Sequence, residues 1–593
     1  MLDQLPSEII VHLAVYIPSL QSLTSLSQTC RRLHSIFLAE ESAIFRAFVT
    51  TRFGRTQTPP FWRDAACALA ARSRALDRLG LVARFVPPSE NAIRIGTREV
   101  YRLDNPTLGY KPSIDSYEIW NGESWADRKE VLTWGAGHQL VMRTKQSGSS
   151  AQEQWVVFND VEHPTSYDDI CGVHLLQPEK NGKDMDIENL IFGRCRGELL
   201  QVALSPEDAS YEYKHVFNTN GLLLDRTDIC GNVLTAHLDD GSINFYQTCG
   251  EQKEVNPFET VSANEGAASR KRYSKLLSQD RVAISSVTLS NSLVVSTVAP
   301  DGLHHEREIG IKFLDPEEEL RASPHASVSA IAPLNAHTLS GAPGDVFIAA
   351  WGDRTIRLHD LRSPHSFEGT YRDSIDLNLI YTVHPFGHDR FLAGASGDAV
   401  LKIFDLRMTN AYNYLEAQIP TPSPTSPKTR GKNMRFGPNK DFSLFLSAHP
   451  ASVTPRQFSR AQQGGAYRGA IYSMSSPSPS SPTVYTGVTD GVVRLDFVST
   501  DDLTGPVQSW YDYNLDLGIE RGQPANPPDT SKVLRMAGYE RPHPDALTIT
   551  SKLRKQHGSW YPESKFLNNE VVTGWDRRWE LQEKPGVWRR PAN

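Results

Sequence analysis

Apolar residues recur at helical spacing from residue 1 to about residue 80. Ile9, Ile10, Leu13 and Ile17 fall on one stripe, and Pro6 suits the first position of that helix because it needs no amide partner there. Pro18 predicts its end. Ser22 predicts the cap of a second helix whose Leu23, Leu26, Cys30 and Leu33 share a face, with Arg31 and Arg32 near its C-terminal end, where cations favour the helix dipole. Ile44, Phe45 and Phe48 continue the spacing. After Pro59-Pro60, a stripe of Trp62, Ala65, Ala66, Leu69 and Leu76 predicts a helix that either joins this unit to the next domain or packs on its edge.

From about residue 90 the helical period gives way to short alternating or β-branched runs separated by Gly, Asp and Pro, the pattern of many short strands. Four segments, 236–246, 348–360, 393–405 and 486–496, align as strand, Gly/Asp turn, strand. Gly and Asp tolerate the positive φ that tight hairpins demand. Asp353 and Asp398 are 45 residues apart, and Asp398 and Asp490 are 92 apart, close to twice that. A period of about 40 to 45 residues is the length of a four-stranded propeller blade. Looser copies stand at Arg196-Gly197, Asp301-Gly302 and Gly574-Trp575-Asp576. Seven blades are expected, eight being the alternative. The ring has to close, and the strand after about residue 571 is expected beside the earliest strands.

Composition narrows the class without changing that outline. The 593 residues exceed one ordinary core, and 39% hydrophobic with 22% charged residues is the range of a globular protein. A net charge of −7 gives no reason to expect nucleic acid as a partner. Cys30, Cys67, Cys171, Cys195, Cys230 and Cys249 form no C-x-x-C pair, so neither a metal site nor a disulfide framework is expected, and reduced thiols inside the cell fit best. The first residues lack the order of a secretory signal, and no apolar run has the length of a membrane span. The expected location is cytoplasmic or nuclear, with no membrane partner.

Leu5-Pro6-Ser7-Glu8-Ile9-Ile10, Leu23-Thr24-Ser25-Leu26 and Thr29-Cys30-Arg31-Arg32-Leu33 resemble an F-box. The resemblance covers about residues 2 to 38 and implies that Leu5, Pro6, Ile9, Ile10, Leu23, Leu26 and Leu33 are divided between an internal core and a groove for a Skp-type adaptor, itself tied to a cullin. The repeats resemble the WD family at Ile356-Arg357-Leu358-His359-Asp360-Leu361-Arg362 and Leu401-Lys402-Ile403-Phe404-Asp405-Leu406-Arg407, with His359 and Phe404 in place of the family's Trp. The fold expected is thus multidomain: an all-α F-box at 1–38, a helical linker at 39–89 and an all-β WD-repeat-like propeller at 90–593. The combination implies a substrate receptor of an SCF-type ubiquitin ligase. One alternative is an interaction scaffold. Another is a receptor for a different cullin, through Asp360, Arg362, Asp405 and Arg407, which resemble part of a Trp-Asp-x-Arg box.

Two Ser/Thr/Pro-rich stretches, near 419–432 and 475–483, are expected in exposed loops because proline removes ladder donors. Within them Thr421, Ser423, Ser426, Ser476, Ser478 and Ser481 each precede proline, so they are candidate sites for proline-directed kinases. Lys428, Arg430 and Lys432, like Arg270-Lys271-Arg272, are candidate nuclear-import signals or plain solvated surface. No G-x-x-x-x-G-K-[ST] loop, H-E-x-x-H pair or G-x-S-x-G elbow occurs. The reading is a non-catalytic chain without cofactor, whose chemistry belongs to partners.

Overall fold

The computed structural model describes all residues except 1–3, 18, 54–60, 98–109, 149–150, 179–186, 251, 263–272, 286–291, 311–326, 335–341, 374–375, 377, 388, 408–441, 448–468, 505–533, 541–552, 557–574, 577 and 582–593. Five helices open the chain: α1 (Ser7–Ala14), α2 (Leu20–Ser27), α3 (Arg31–Ala39), α4 (Glu41–Phe53) and α5 (Trp62–Arg78). Their common core is built from Ile10, Leu23, Leu33, Phe37, Ile44 and Phe48, with Ala66 and Leu69 contributed by α5.

Local hydrogen bonds shift the helix ends from where the pattern put them. Pro6 is the cap residue of α1, not its first turn, and its carbonyl accepts from the amides of Ile9 and Ile10 at 3.2 and 3.3 Å. Ser19, not Ser22, caps α2, its Oγ accepting the Ser22 amide at 3.1 Å. The helix expected across Leu23 to Leu33 is two helices. Ser27 and Thr29 turn their hydroxyls onto the carbonyls of Thr24 and Leu26, which competes with helix continuation. Cys30 then restarts the chain as the cap of α3, its Sγ accepting the Leu33 amide at 3.5 Å. Arg31 and Arg32 therefore begin a helix instead of ending one.

The remaining strands form seven sheets. Their inner strands are Ile114–Trp120, Ile170–Leu176, Leu224–Cys230, Ser274–Ser278, Val328–Pro333, Ile380–Phe386 and Ser473–Ser475. Each contacts the next and the last contacts the first, so the ring is closed and its sheets are blades 1 to 7 in that order. Blade 7 receives its outer strand from the start of the chain: Val82–Phe85 pairs antiparallel with Gly491–Asp496, Val82 opposite Asp496. The segment read as a helical linker thus contains the strand that closes the ring. That task does not fall to the residues after 571. Arg535–Glu540, Leu553–Gln556 and Trp579–Leu581 instead extend the sheet of blade 6 beyond its strand Phe442–Ser447. They still meet the early chain, for the Trp579 indole donates to the Leu79 carbonyl at 2.7 Å.

The repeat spacing needs two corrections. The 92-residue step from Asp398 to Asp490 is one blade, not two, because the extra length lies after the third and outer strands of blade 6. Asp301-Gly302 joins the third and outer strands of blade 4, whereas Arg196-Gly197, Gly241, Asp353-Arg354, Asp398 and Asp490 join second to third strands. The positive φ expected of those turns is present at Gly197, Gly241, Arg354, Asp398 and Asp490.

Strand alternation assigns the described connections to two faces. Inner-to-second and third-to-outer turns lie on one face; second-to-third turns and the crossovers to the next blade lie on the other. Helix α5 rests on the first face, against the inner-to-second turns of blades 6, 7 and 1. It contributes Ala65, Ala68 and Ala71 to a core with Val82, Trp125 and Val498, and Ala75 and Leu76 to one with Phe386 and Val484. Among the described residues no α-helix rests on the opposite face.

Candidate functional site

The helical unit divides the seven expected adaptor-binding residues. Ile10, Leu23 and Leu33 are core; Leu5 and Leu26 are half-buried against it; Pro6 and Ile9 are exposed, Ile9 by 45%. Tyr16 and Leu38, which sequence reasoning did not single out, are also exposed. Their apolar character is visible in the sequence, but their exposure follows only from how the helices pack.

The joint between unit and ring is polar as well as apolar. Arg74 pairs with Asp502 at 2.8 Å, Arg78 with Asp501, and Arg390 of blade 6 with Asp77 at 3.1 Å. Arg72 enters the turn 476–482 of blade 7 and donates to its carbonyls. That turn is the second Ser/Pro-rich stretch, and it is packed, contrary to the exposed loop expected. Ser481 is buried, the Ser478 hydroxyl donates to Glu118, and the Ser476 hydroxyl meets His384 Nε2 at 2.7 Å. Each proline there sits where no ladder amide is needed, so the composition suits a socket as well as a loop. Thr421, Ser423 and Ser426, together with the basic runs 270–272 and 428–432, lie outside the described residues.

The Asp-x-Arg motifs lie on the same face as α5. Arg362 grips Asp360 through Nε and Nη2 at 2.9 and 2.7 Å, and the carboxylate also accepts the Arg362 amide. Arg407 repeats this on Asp405 at 2.9 and 2.8 Å. Asp576 and Arg578 form the same turn, Nε to Oδ1 at 3.0 Å. These guanidiniums fasten turns, and Arg390 bridges Asp405 to Asp77 of α5.

On the face opposite α5 the large apolar side chains Tyr167, Leu223, Leu379 and Tyr381 stand in solvent. Towards the ring axis, Lys275 pairs with Asp228, and its charge reaches Asp115, His174 and His384 on three other blades. Burial, with Lys275 adding to it, pulls both histidines down to about 4, and burial pushes Asp115 up to about 6. Among the described residues no helix is long and apolar enough to cross a membrane.

Residues 2–44 match the family model described as F-box-like. No curated protein matches the chain. Among solved structures, the chain is similar to the WD40 β-propeller domain of Doa1, at 11% identity and a TM-score of 0.36, over 65% of this chain and 93% of that one. The matched helical residues and the closed ring of seven sheets together give the chain an F-box-like unit joined through α5 to a seven-bladed β-propeller.

Proposed function

We propose that the protein is the substrate-recognition subunit of an SCF-type, cullin-based ubiquitin ligase, with the F-box-like unit holding a Skp-type adaptor and the propeller holding the substrate. The observation that carries this reading is the division of faces. The edge with Pro6 and Ile9 is exposed on the helical unit, α5 fixes that unit to one face of the ring, and the opposite face presents Tyr167, Leu223, Leu379 and Tyr381. Two exposed surfaces held at a set distance by packed helix suit a receptor that presents its target to a separate catalytic partner. In this reading the chain is not itself an enzyme and works in the cytoplasm or nucleus.

A contact to a different cullin adaptor through Asp360, Arg362, Asp405 and Arg407 is less favoured, since both arginines are already engaged by their own aspartates. The test is co-purification of the full chain with a Skp-type adaptor, beside a Pro6→Ala/Ile9→Asp variant. A stoichiometric complex lost in a variant of unchanged melting temperature supports the receptor; no complex with the folded wild type shifts the reading to a scaffold.

A further inference from the structure

A propeller blade is a four-stranded sheet, and blade 6 is complete with Ile380–Phe386, Arg390–Ala395, Val400–Asp405 and Phe442–Ser447. Its sheet nevertheless continues through Arg535–Glu540, Leu553–Gln556 and Trp579–Leu581. The ring closes through Val82–Phe85 and makes no use of these three strands. What they reach is the corner where α5 ends and the closing strand begins.

That corner turns sharply. Leu79 ends α5 at φ +58°, in the left-handed region that favours glycine, and the Gly80 amide bonds back to the Ala75 carbonyl at 2.7 Å. A helix end leaves its last carbonyls without partners inside the helix, and here the late residues supply donors. The Asp576 amide donates to the Arg78 carbonyl at 2.6 Å and the Leu534 amide to the Ala83 carbonyl at 2.9 Å. Between them, the Trp579 indole donates to the Leu79 carbonyl at 2.7 Å and the Gln556 side-chain amide to the Leu81 carbonyl at 2.5 Å.

The same residues reach the polar joint. The Asp576 carboxylate accepts the Thr500 amide at 2.6 Å and also the Thr500 hydroxyl, at the start of the short helix Thr500–Thr504. Asp501 and Asp502 of that helix pair with Arg78 and Arg74 of α5. Arg578 grips Asp576 and donates to the Val498 carbonyl at 2.6 Å. Gly80 is enclosed by this set: a Cβ there would stand 2.9 Å from Ser499 Cα and from the Val498 carbonyl oxygen, and 3.1 Å from Asp576 Oδ2. Leu79, Leu81, Ala83, Trp575 and Trp579 share one core. A leucine in the left-handed region persists where its surroundings over-determine it, and these late residues are a large part of those surroundings.

We propose that the strands within residues 535–581 are a latch: they fix the angle between the helical unit and the ring, and the ring itself does not need them. With the latch loosened, Val82–Phe85 stays in blade 7 and α5 pivots about residues 79–81 over a wider range of angles. The latch does not depend on the receptor reading, which supplies its use. The angle it sets is the one at which an adaptor-bound unit faces a substrate held on the ring.

The test uses the full chain as wild type, as Gln556→Met/Trp579→Phe and as Asp576→Asn. The first variant removes the two side-chain donors and keeps their apolar bulk; the second keeps those donors and weakens the grip on Thr500 and Arg578. Hydrogen exchange is followed in peptides covering residues 76–85, and calorimetry follows melting. Electron–electron resonance reads the distance between spin labels on noncanonical residues at Gln28 and Glu207, both exposed. The expected result is exchange faster by about tenfold or more at the corner and a broadened distance distribution, with the ring still melting in one transition. Unchanged exchange and distances in both variants overturn the proposal. So does broadening accompanied by loss of the single transition, which would make these strands part of the ring. None of these readouts involves the adaptor, so failure of the latch and failure of the receptor reading are told apart by adaptor co-purification on the same preparations.

Discussion

The Arg72 guanidinium, on a side chain only 3% exposed, donates to the Ser481 carbonyl oxygen at 3.0 Å. The same nitrogen donates to the Pro479 carbonyl at 2.6 Å, and the group lies 5.2 Å from the centre of the Phe386 ring. Burial lowers its pKa to about 10, so it remains a cation at neutral pH. One side chain of α5 thus joins the helical unit to blades 6 and 7, and the placement of that unit on the ring depends on that joint.

Replacing Arg72 with Met is expected to destabilise the chain by about 2 to 4 kcal/mol, because it strands two carbonyl oxygens under α5 and removes the contact with Phe386. Arg72→Lys recovers only part, since an ammonium lacks the planar fork. Chemical denaturation measures both, with limited proteolysis reporting cleavage between α5 and the ring. A melting temperature unchanged in Arg72→Met would show that the helical unit is held to the ring without this side chain.

The helical unit separates stability from binding. Leu23 is core, and Leu23→Ala is expected to cost roughly 2 to 5 kcal/mol. Ile9→Asp lies on an exposed edge and is expected to leave stability within about 0.5 kcal/mol while abolishing adaptor co-purification. Equal destabilisation by the two changes would mean that Ile9 belongs to the core.

Much of the fold was readable from residue pattern. The apolar stripes located the helices, and the Gly and Asp turns located second-to-third hairpins at Gly241, Asp398 and Asp490, because both signals are local. The capping at Ser19 and Cys30 was missed because the segment holds several residues able to cap a helix, and the helical stripe runs unbroken across Ser27 to Cys30. The long step to Asp490 misled because length between repeats does not distinguish a blade from an insertion. Pairing of Val82–Phe85 with Gly491–Asp496 spans most of the chain, and a four-residue strand carries no mark of its distant partner. The grip of Asp576 and Trp579 on the carbonyls of Arg78 and Leu79 was invisible for the same reason: those residues become neighbours only after the ring closes.

Ring closure yields a prediction about fragments. Residues 90–593 lack Val82–Phe85 and so leave the edge of Gly491–Asp496 unpaired, along with the cores that Val82 and Ala83 share with α5 and blade 7. That fragment is expected to aggregate or to melt without cooperativity. Residues 61–593 retain α5 and the closing strand and are expected to melt in one transition. Cooperative melting of 90–593 by calorimetry would show that the strand is dispensable.

A pH dependence arises from His359, whose Nδ1–H donates to the Ser366 carbonyl at 2.7 Å while its ring stacks on Phe347. Burial, against the Ser366 bond and helped by Arg357 and Arg307, pulls its pKa down to about 4, below the ordinary value of 6.5. Between those two values the unfolded chain binds the proton and the folded chain does not. The contribution is fully present above about pH 6.5 and is lost as pH falls towards 4, on the order of 3 kcal/mol in all. His174 and His384 act in the same direction, and Asp115, raised to about 6, acts in the opposite one. Those groups are common to wild type and a His359→Phe variant, so the difference in their pH slopes isolates His359. The variant loses the Ser366 bond at every pH, but its unfolding free energy is expected to fall less steeply than that of wild type between pH 6.5 and 4.5. Parallel slopes would mean that His359 takes up its proton as readily in the folded chain as in the unfolded one, which its stacking on Phe347 and its burial argue against.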